Sequence, residues 1–180
     1  MQQSLRRHPD SPCATVGGIA VQVSRSASDL MLRYAMTGKI GELRVPEAAA
    51  PGRTDGLWRH TCFEAFLRPP AGEAYYEFNF APSLQWAAYR FNGYRSGMQV
   101  AEGFRGPCIE IESEASRLEL RVALSLSELP ELSAGAAWHL ALSAVIEEAD
   151  GALSYWALAH PPGRPDFHHS DCFALELRPA

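Results

Sequence analysis

The sequence predicts an all-β protein, a two-sheet antiparallel β-sandwich of about ten strands. Three observations carry that expectation. Short runs of alternating apolar and polar residues fill most of the 180-residue chain. Clusters of Gly, Pro, Asn, Asp and Ser separate these runs at intervals of about 8–12 residues. Nothing longer than one turn shows a helical period. Run lengths vary and two long loops interrupt the series, which favours a sandwich over a barrel. No linker divides the chain, so residues 17–180 read as one domain behind an N-terminal extension at 1–16.

Taken in order, residues 19–24 form a first short run, and residues 29–37 alternate with Leu30, Leu32 and Tyr34 on one side. Residues 38–59 are rich in Gly, Pro and Ala and read as a loop, with one short irregular strand at 42–45. Residues 61–67 form a strand stopped by Pro69 and Pro70. Its period of two places Phe63, Ala65 and Leu67 on one face and Cys62, Glu64 and Phe66 on the other. Residues 75–91 alternate on both sides of an Ala-Pro-Ser-Leu turn, the signature of a hairpin. Residues 92–106 form a glycine-punctuated loop long enough to cover a site. Residues 108–114 and 117–124 make a second hairpin, and Ser127 is placed to cap a single helical turn at 127–132. Residues 137–147 lack charge at their centre and so belong inside a sheet. Residues 153–159 return, residues 160–171 are broken by prolines, and residues 172–177 are the last strand.

Composition narrows the function classes. The chain is 47% hydrophobic and 21% charged with a net charge of −5, and Lys39 is its one lysine. No clustered basic run exists to neutralise phosphates, which argues against nucleic acid. No stretch reaches the roughly 18 apolar residues of a membrane span, and the N-terminus lacks the apolar core of a secretory signal. The expected location is therefore cytoplasmic. Cys13, Cys62, Cys108 and Cys172 match no zinc-finger spacing and read as free thiols.

The first hairpin carries the functional expectation. Tyr76, Phe78 and Phe80 share one face, and Tyr75, Glu77 and Asn79 share the other. If residues 61–67 pair with it, Glu64 joins Glu77 and Asn79, and Trp86 with Arg90 is expected from the return strand. Such a set suits a sugar: C–H faces stack on rings, and hydroxyl pairs are bridged by carboxylates, amides and guanidinium groups. The competing reading is a surface ladder of ion pairs between Glu64, Glu77 and Arg90. Tyr94 and Arg95, in the long loop, are placed to close over a ligand. His160, His168 and His169 with Asp166 or Asp171 match no metal-ligand spacing, so no metal is expected. Glu64 and Glu77 also resemble the carboxylate pair of a glycosidase. The chain has no nucleophile elbow, phosphate loop or zinc helix, so catalysis is not expected.

The runs LWRHTCFEAFL, YYEFNFAPSLQWAAYRF followed by GYRSGM, and YWALAHPPGRPDFHHSDCFALEL resemble the bacterial DOMON-like proteins, relatives of family 9 carbohydrate-binding modules. The resemblance covers about residues 57–177. It implies a sandwich that binds a ligand on a concave face or at a rim, and relatives that bind sugars or haem. It implies a ring platform at Trp58 and a ligand contact at Arg164, Asp166 or His168. It also implies a haem alternative, with Met98 and either His168 or His169 as axial ligands. The expectation is thus a non-catalytic domain that binds a sugar or sugar-bearing metabolite without a cofactor. Its contacts are Trp58, Glu64, Glu77, Asn79, Trp86, Arg90, Tyr94, Arg95 and His168. A haem module, a glycoside-cleaving enzyme and a surface for a protein partner stand as alternatives.

Overall fold

The computed structural model describes residues 1–179. Thirteen strands form one continuous hydrogen-bonded series. They are β1 (Gln2–Arg7), β2 (Val16–Ser26), β3 (Asp29–Gly38), β4 (Gly52–Arg53), β5 (Cys62–Arg68), β6 (Tyr75–Phe80) and β7 (Gln85–Phe91). The others are β8 (Gln99–Val100), β9 (Cys108–Glu114), β10 (Arg117–Ser125), β11 (Trp138–Glu147), β12 (Leu153–Ala157) and β13 (Leu175–Leu177). Their order is β4-β7-β6-β5-β11-β12-β1-β2-β3-β10-β9, with β8 on β7 and β13 on β11.

The expected pair of separate sheets is replaced by one sheet that curls over itself at β1. Residues 2–5 of β1 pair with β2, whereas Arg6 and Arg7 pair with Ala157 and Trp156 of β12. The first sixteen residues, expected as an extension, thus supply the strand that joins the two halves. Only Leu5 of β1 is buried, so the segment has no alternation to mark it as a strand.

The halves face each other across the main core. One contributes Val21, Val23, Leu30, Leu32, Tyr34, Met36, Leu118 and Leu120, and the other Phe63, Leu67, Phe78, Phe80, Leu140 and Leu142. Each such side chain contributes about 1.5–3 kcal/mol when fully buried. Tyr34 stitches the halves together. Its ring lies 5.0 Å from that of Phe63, and its hydroxyl donates to the Glu64 carbonyl at 2.8 Å. The polar end of this buried ring therefore has a partner, as burial requires.

Three local expectations change. Residues 126–132 form successive turns, with the Leu129 amide donating to Leu126 and that of Leu132 to Leu129, and no helix forms behind Ser127. The strand expected at 42–45 is reduced to a single bridge between Leu43 and Glu148, preceded by a 3-10 turn at Ile40–Glu42. Ser170–Cys172 is a 3-10 turn, which leaves β13 three residues long.

Candidate functional site

The second half of the sheet is covered on both faces, and its outer face builds the site. Register decides which side chains meet there. Glu64 of β5 lies opposite Asn79 of β6, and Phe66 lies opposite Glu77. On the far side of β5, Glu64 pairs with Ser143 of β11. Between β6 and β7, Glu77 pairs with Tyr89 and Tyr75 with Phe91. The turn at residues 81–84 sets this alignment. Its closing bonds run from the Ala81 amide to the Gln85 carbonyl and from the Leu84 amide to the Ala81 carbonyl. Leu84 takes a left-handed φ of 72° to make it.

Over this face lies a cavity of about 390 Å³. Glu64, Glu77, Arg95, His168 and Trp58 line it together with Phe66, Phe91, Met98, Val145, Tyr155, Pro165 and Phe167. Such a mixture of ring faces and a few converging polar groups is typical of small-ligand sites. Trp58 sits in the 3-10 turn Leu57–Arg59, entered through Gly56 at φ 80°. Its indole meets the Tyr89 ring edge to face at 6.1 Å. It remains 37% exposed, unlike a core tryptophan such as Trp138.

The two carboxylates are buried yet incompletely partnered. Ser143 Oγ donates to Glu64 Oε2 at 2.8 Å, and Asn79 Nδ2 donates to Glu77 Oε1 at 2.7 Å. Among the described residues no donor lies within hydrogen-bond reach of Glu64 Oε1 or Glu77 Oε2; His168 Nε2 stands 3.7 Å from the latter. Burial raises both carboxyls above the ordinary carboxylate range, and the charge of Glu77 raises Glu64 further. The pair therefore holds a proton near neutral pH. Asn79 is itself fully buried and acts as the brace beneath Glu77.

Two loops close the site through Asp166. Arg95 donates to Asp166 Oδ1 from Nη2 at 2.7 Å and from Nε at 3.2 Å, and the Tyr94 hydroxyl donates to Oδ2 at 2.5 Å. The His168 amide also donates to Oδ1 at 3.2 Å, so one carboxylate fastens the 92–98 loop to the proline-rich segment. Arg95 adopts a φ of 49° there. His168 is oriented by Tyr75, whose hydroxyl lies 2.7 Å from Nδ1 and accepts the Arg95 amide at 3.3 Å. That bond fixes the ring and leaves Nε2 facing Glu77. Burial lowers the imidazole to about 4, so His168 is neutral.

Trp58, Glu64, Glu77, Arg95 and His168 thus converge, with Asn79 and Tyr94 as supports. Trp86 and Arg90 do not join them. They lie on the opposite face of β7, because Trp86 pairs with Phe80 and Arg90 with Tyr76. Trp86 packs against Phe104 at 5.5 Å, and Arg90 binds Glu131 at 2.6 Å. Parity is the reason: even-numbered residues of β7 face the core. The same rule identifies Phe91, which the sequence reading passed over. Val145 and Tyr155 carry no such signal, because only the tertiary pairing brings β11 beside β5 and β12 beside β11.

The loop histidines diverge. His160 donates through Nε2 to the Arg6 carbonyl at 2.8 Å and packs edge-on against His8, and His169 Nδ1 accepts the Asp171 amide. Of the residues named for the haem alternative, Met98 and His168 both line the cavity and His169 does not. Nδ1 of His168 meets Tyr75 and its Nε2 faces Glu77.

No family model and no curated protein sequence matches the chain. Its fold does match solved structures. One is a protein of Bacteroides uniformis provisionally described as carbohydrate-binding, with a TM-score of 0.67 at 16% identity over 96% of this chain and 83% of the other. Another is a family 9 carbohydrate-binding module from Caldicellulosiruptor kristjanssonii in complex with glucose, with a TM-score of 0.51 at 10% identity over 86% of this chain and 72% of the other. At such identities the likeness concerns architecture, and the chain has a fold similar to that of family 9 carbohydrate-binding modules.

Proposed function

We propose that this protein is a non-catalytic binding domain that holds one small carbohydrate in the cavity over β5, β6 and β7. The DOMON-like sequence runs and the carbohydrate-binding structural neighbours support the class of ligand. The observation that carries the reading is the pair of buried carboxylates with an unsatisfied oxygen each, facing a space walled by aromatic rings. Carboxylate oxygens accept sugar hydroxyls, and ring faces take sugar C–H faces. Trp58 supplies the exposed ring at the mouth, Arg95 and His168 supply donors, and Glu64 and Glu77 supply acceptors.

Thermal-shift and calorimetric titration against monosaccharides and disaccharides test this. A ligand that binds only the folded state raises Tm in proportion to the logarithm of its concentration. Trp58→Ala should weaken binding by about tenfold, in the range of one lost ring contact, while Tm without ligand changes little. Absence of a shift across the whole panel, or an unchanged Kd in Trp58→Ala, would refute the assignment.

A further inference from the structure

The charge balance of the cavity narrows the ligand further. Glu64 and Glu77 are 2% and 5% exposed, and the donors they do have, Ser143 and Asn79, are both neutral. The cation that lines the cavity, Arg95, is held by Asp166 at 2.7 Å, and its charge offsets only part of the burial that raises Glu77. His168 is neutral. Among the described residues no cation hydrogen-bonds to either carboxylate, and Trp58, Phe66 and Phe91 supply aromatic rings, a kind of group that attracts cations, to the same cavity wall.

We infer that the bound sugar carries a free amino group, its ammonium lying between Glu64 Oε1 and Glu77 Oε2 and its ring against the aromatic wall. This inference rests on the carbohydrate reading above. A neutral hydroxyl fills one acceptor but adds no charge, so the second carboxyl could ionise beside the first only against the repulsion between them. An ammonium brings three donors and one positive charge, lets both carboxyls ionise, and offsets the desolvation and the repulsion that this creates. An N-acetyl group removes that charge.

The ammonium also replaces the proton that the pair holds without a ligand. The titratable groups around the pair are Cys62, Tyr75, Tyr89, Arg95 and His168 on its own face and Tyr34 on the core side of the sheet. The tyrosines and the thiol are pushed upward and stay neutral, and Arg95 stays charged. Proton release on binding near neutral pH is therefore a signature of Glu64 and Glu77.

Isothermal titration of the full chain with glucosamine, N-acetylglucosamine, glucose and methylammonium tests the inference, with glucosamine repeated in two buffers of different ionisation enthalpy. Glucosamine should bind at least about tenfold more tightly than the two neutral sugars, the effect of one charged hydrogen bond. Binding should release protons. Glu64→Gln and Glu77→Gln should each abolish the preference for glucosamine over glucose and the proton release, with urea melts confirming that both fold. Glucose or N-acetylglucosamine binding as tightly as glucosamine would overturn the amino-sugar inference and leave the carbohydrate reading standing. So would a glucosamine preference that survives both substitutions. Methylammonium matching glucosamine would support the cation site and overturn the carbohydrate reading. Binding of none of the four would overturn the inference.

Discussion

Replacing Glu64 by Gln should stabilise the protein, and the gain should grow with pH. Glu64 lies beneath the cavity with one oxygen held by Ser143 and the other without a donor, and Glu77 shares its face. Burial, then the charge of Glu77, raises its carboxyl from 4.5 to about 8. Between those values the folded protein binds more protons than the unfolded chain, so unfolding free energy falls as pH rises. The stability is fully present below the ordinary carboxylate value and is lost through the window up to about 8. Each unit of displacement corresponds to about 1.4 kcal/mol. The two carboxyls titrate as a pair, so only part of that displacement belongs to Glu64, on the order of 2–3 kcal/mol across the window. Gln cannot ionise, and its amide oxygen can still accept from Ser143. The variant should therefore match the wild type at the acidic end and exceed it by about 2–3 kcal/mol at the alkaline end. For a domain of this size that is a Tm difference of about 4–12 °C. Urea unfolding at a series of pH values reads the slope directly. Parallel slopes for wild type and variant, or a variant that loses stability at the alkaline end, would refute the account of the pair.

Three further outcomes follow from contacts elsewhere. Tyr34→Phe deletes the buried bond between the halves of the sheet and leaves the Glu64 carbonyl with one partner fewer; urea unfolding should register a loss of about 1–1.5 kcal/mol, and an unchanged midpoint would show the bond to be neutral. Gly106→Ala places a Cβ 2.5 Å from Trp86 Cζ2 at a φ of 97°, so it should destabilise by about 1–3 kcal/mol and shift tryptophan fluorescence. Wild-type stability and spectrum in that variant would contradict the close packing of Trp86. Asp166→Ala removes the common partner of Tyr94, Arg95 and the His168 amide; hydrogen exchange at residues 92–98 should quicken and ligand affinity should fall, whereas unchanged exchange would mean the two loops hold without it.

Much of the site was legible because β-structure is read two residues at a time. The alternation in residues 75–80 places Glu77 and Asn79 on one face, and Glu64 joins them once β5 pairs with β6 in the observed register. Where that rule was not carried across the turn, the reading failed: Trp86 and Arg90 have the wrong parity to share a face with Glu77, and the register through Leu84 assigns the place to Tyr89 and Phe91. Trp58 and His168 entered through the family resemblance, since nothing in a loop's own sequence says what it covers. The pattern around Asp166 suggests a ligand contact rather than a metal ligand, but its role as the clasp between two loops depends on contacts 71 and 72 residues apart in the chain.

Strand class, most strand positions and the polar face of the first hairpin were determined by the sequence itself, because they depend on local periodicity and turn chemistry. The curl of the sheet through β1, the neighbours of β5 and the closing of a cavity over Glu64 and Glu77 were decided by the tertiary structure. Strand partners are chosen by long-range burial and hydrogen bonding, and a segment such as Gln2–Arg7, with one buried side chain, becomes a strand only because two other strands each leave it an edge to fill.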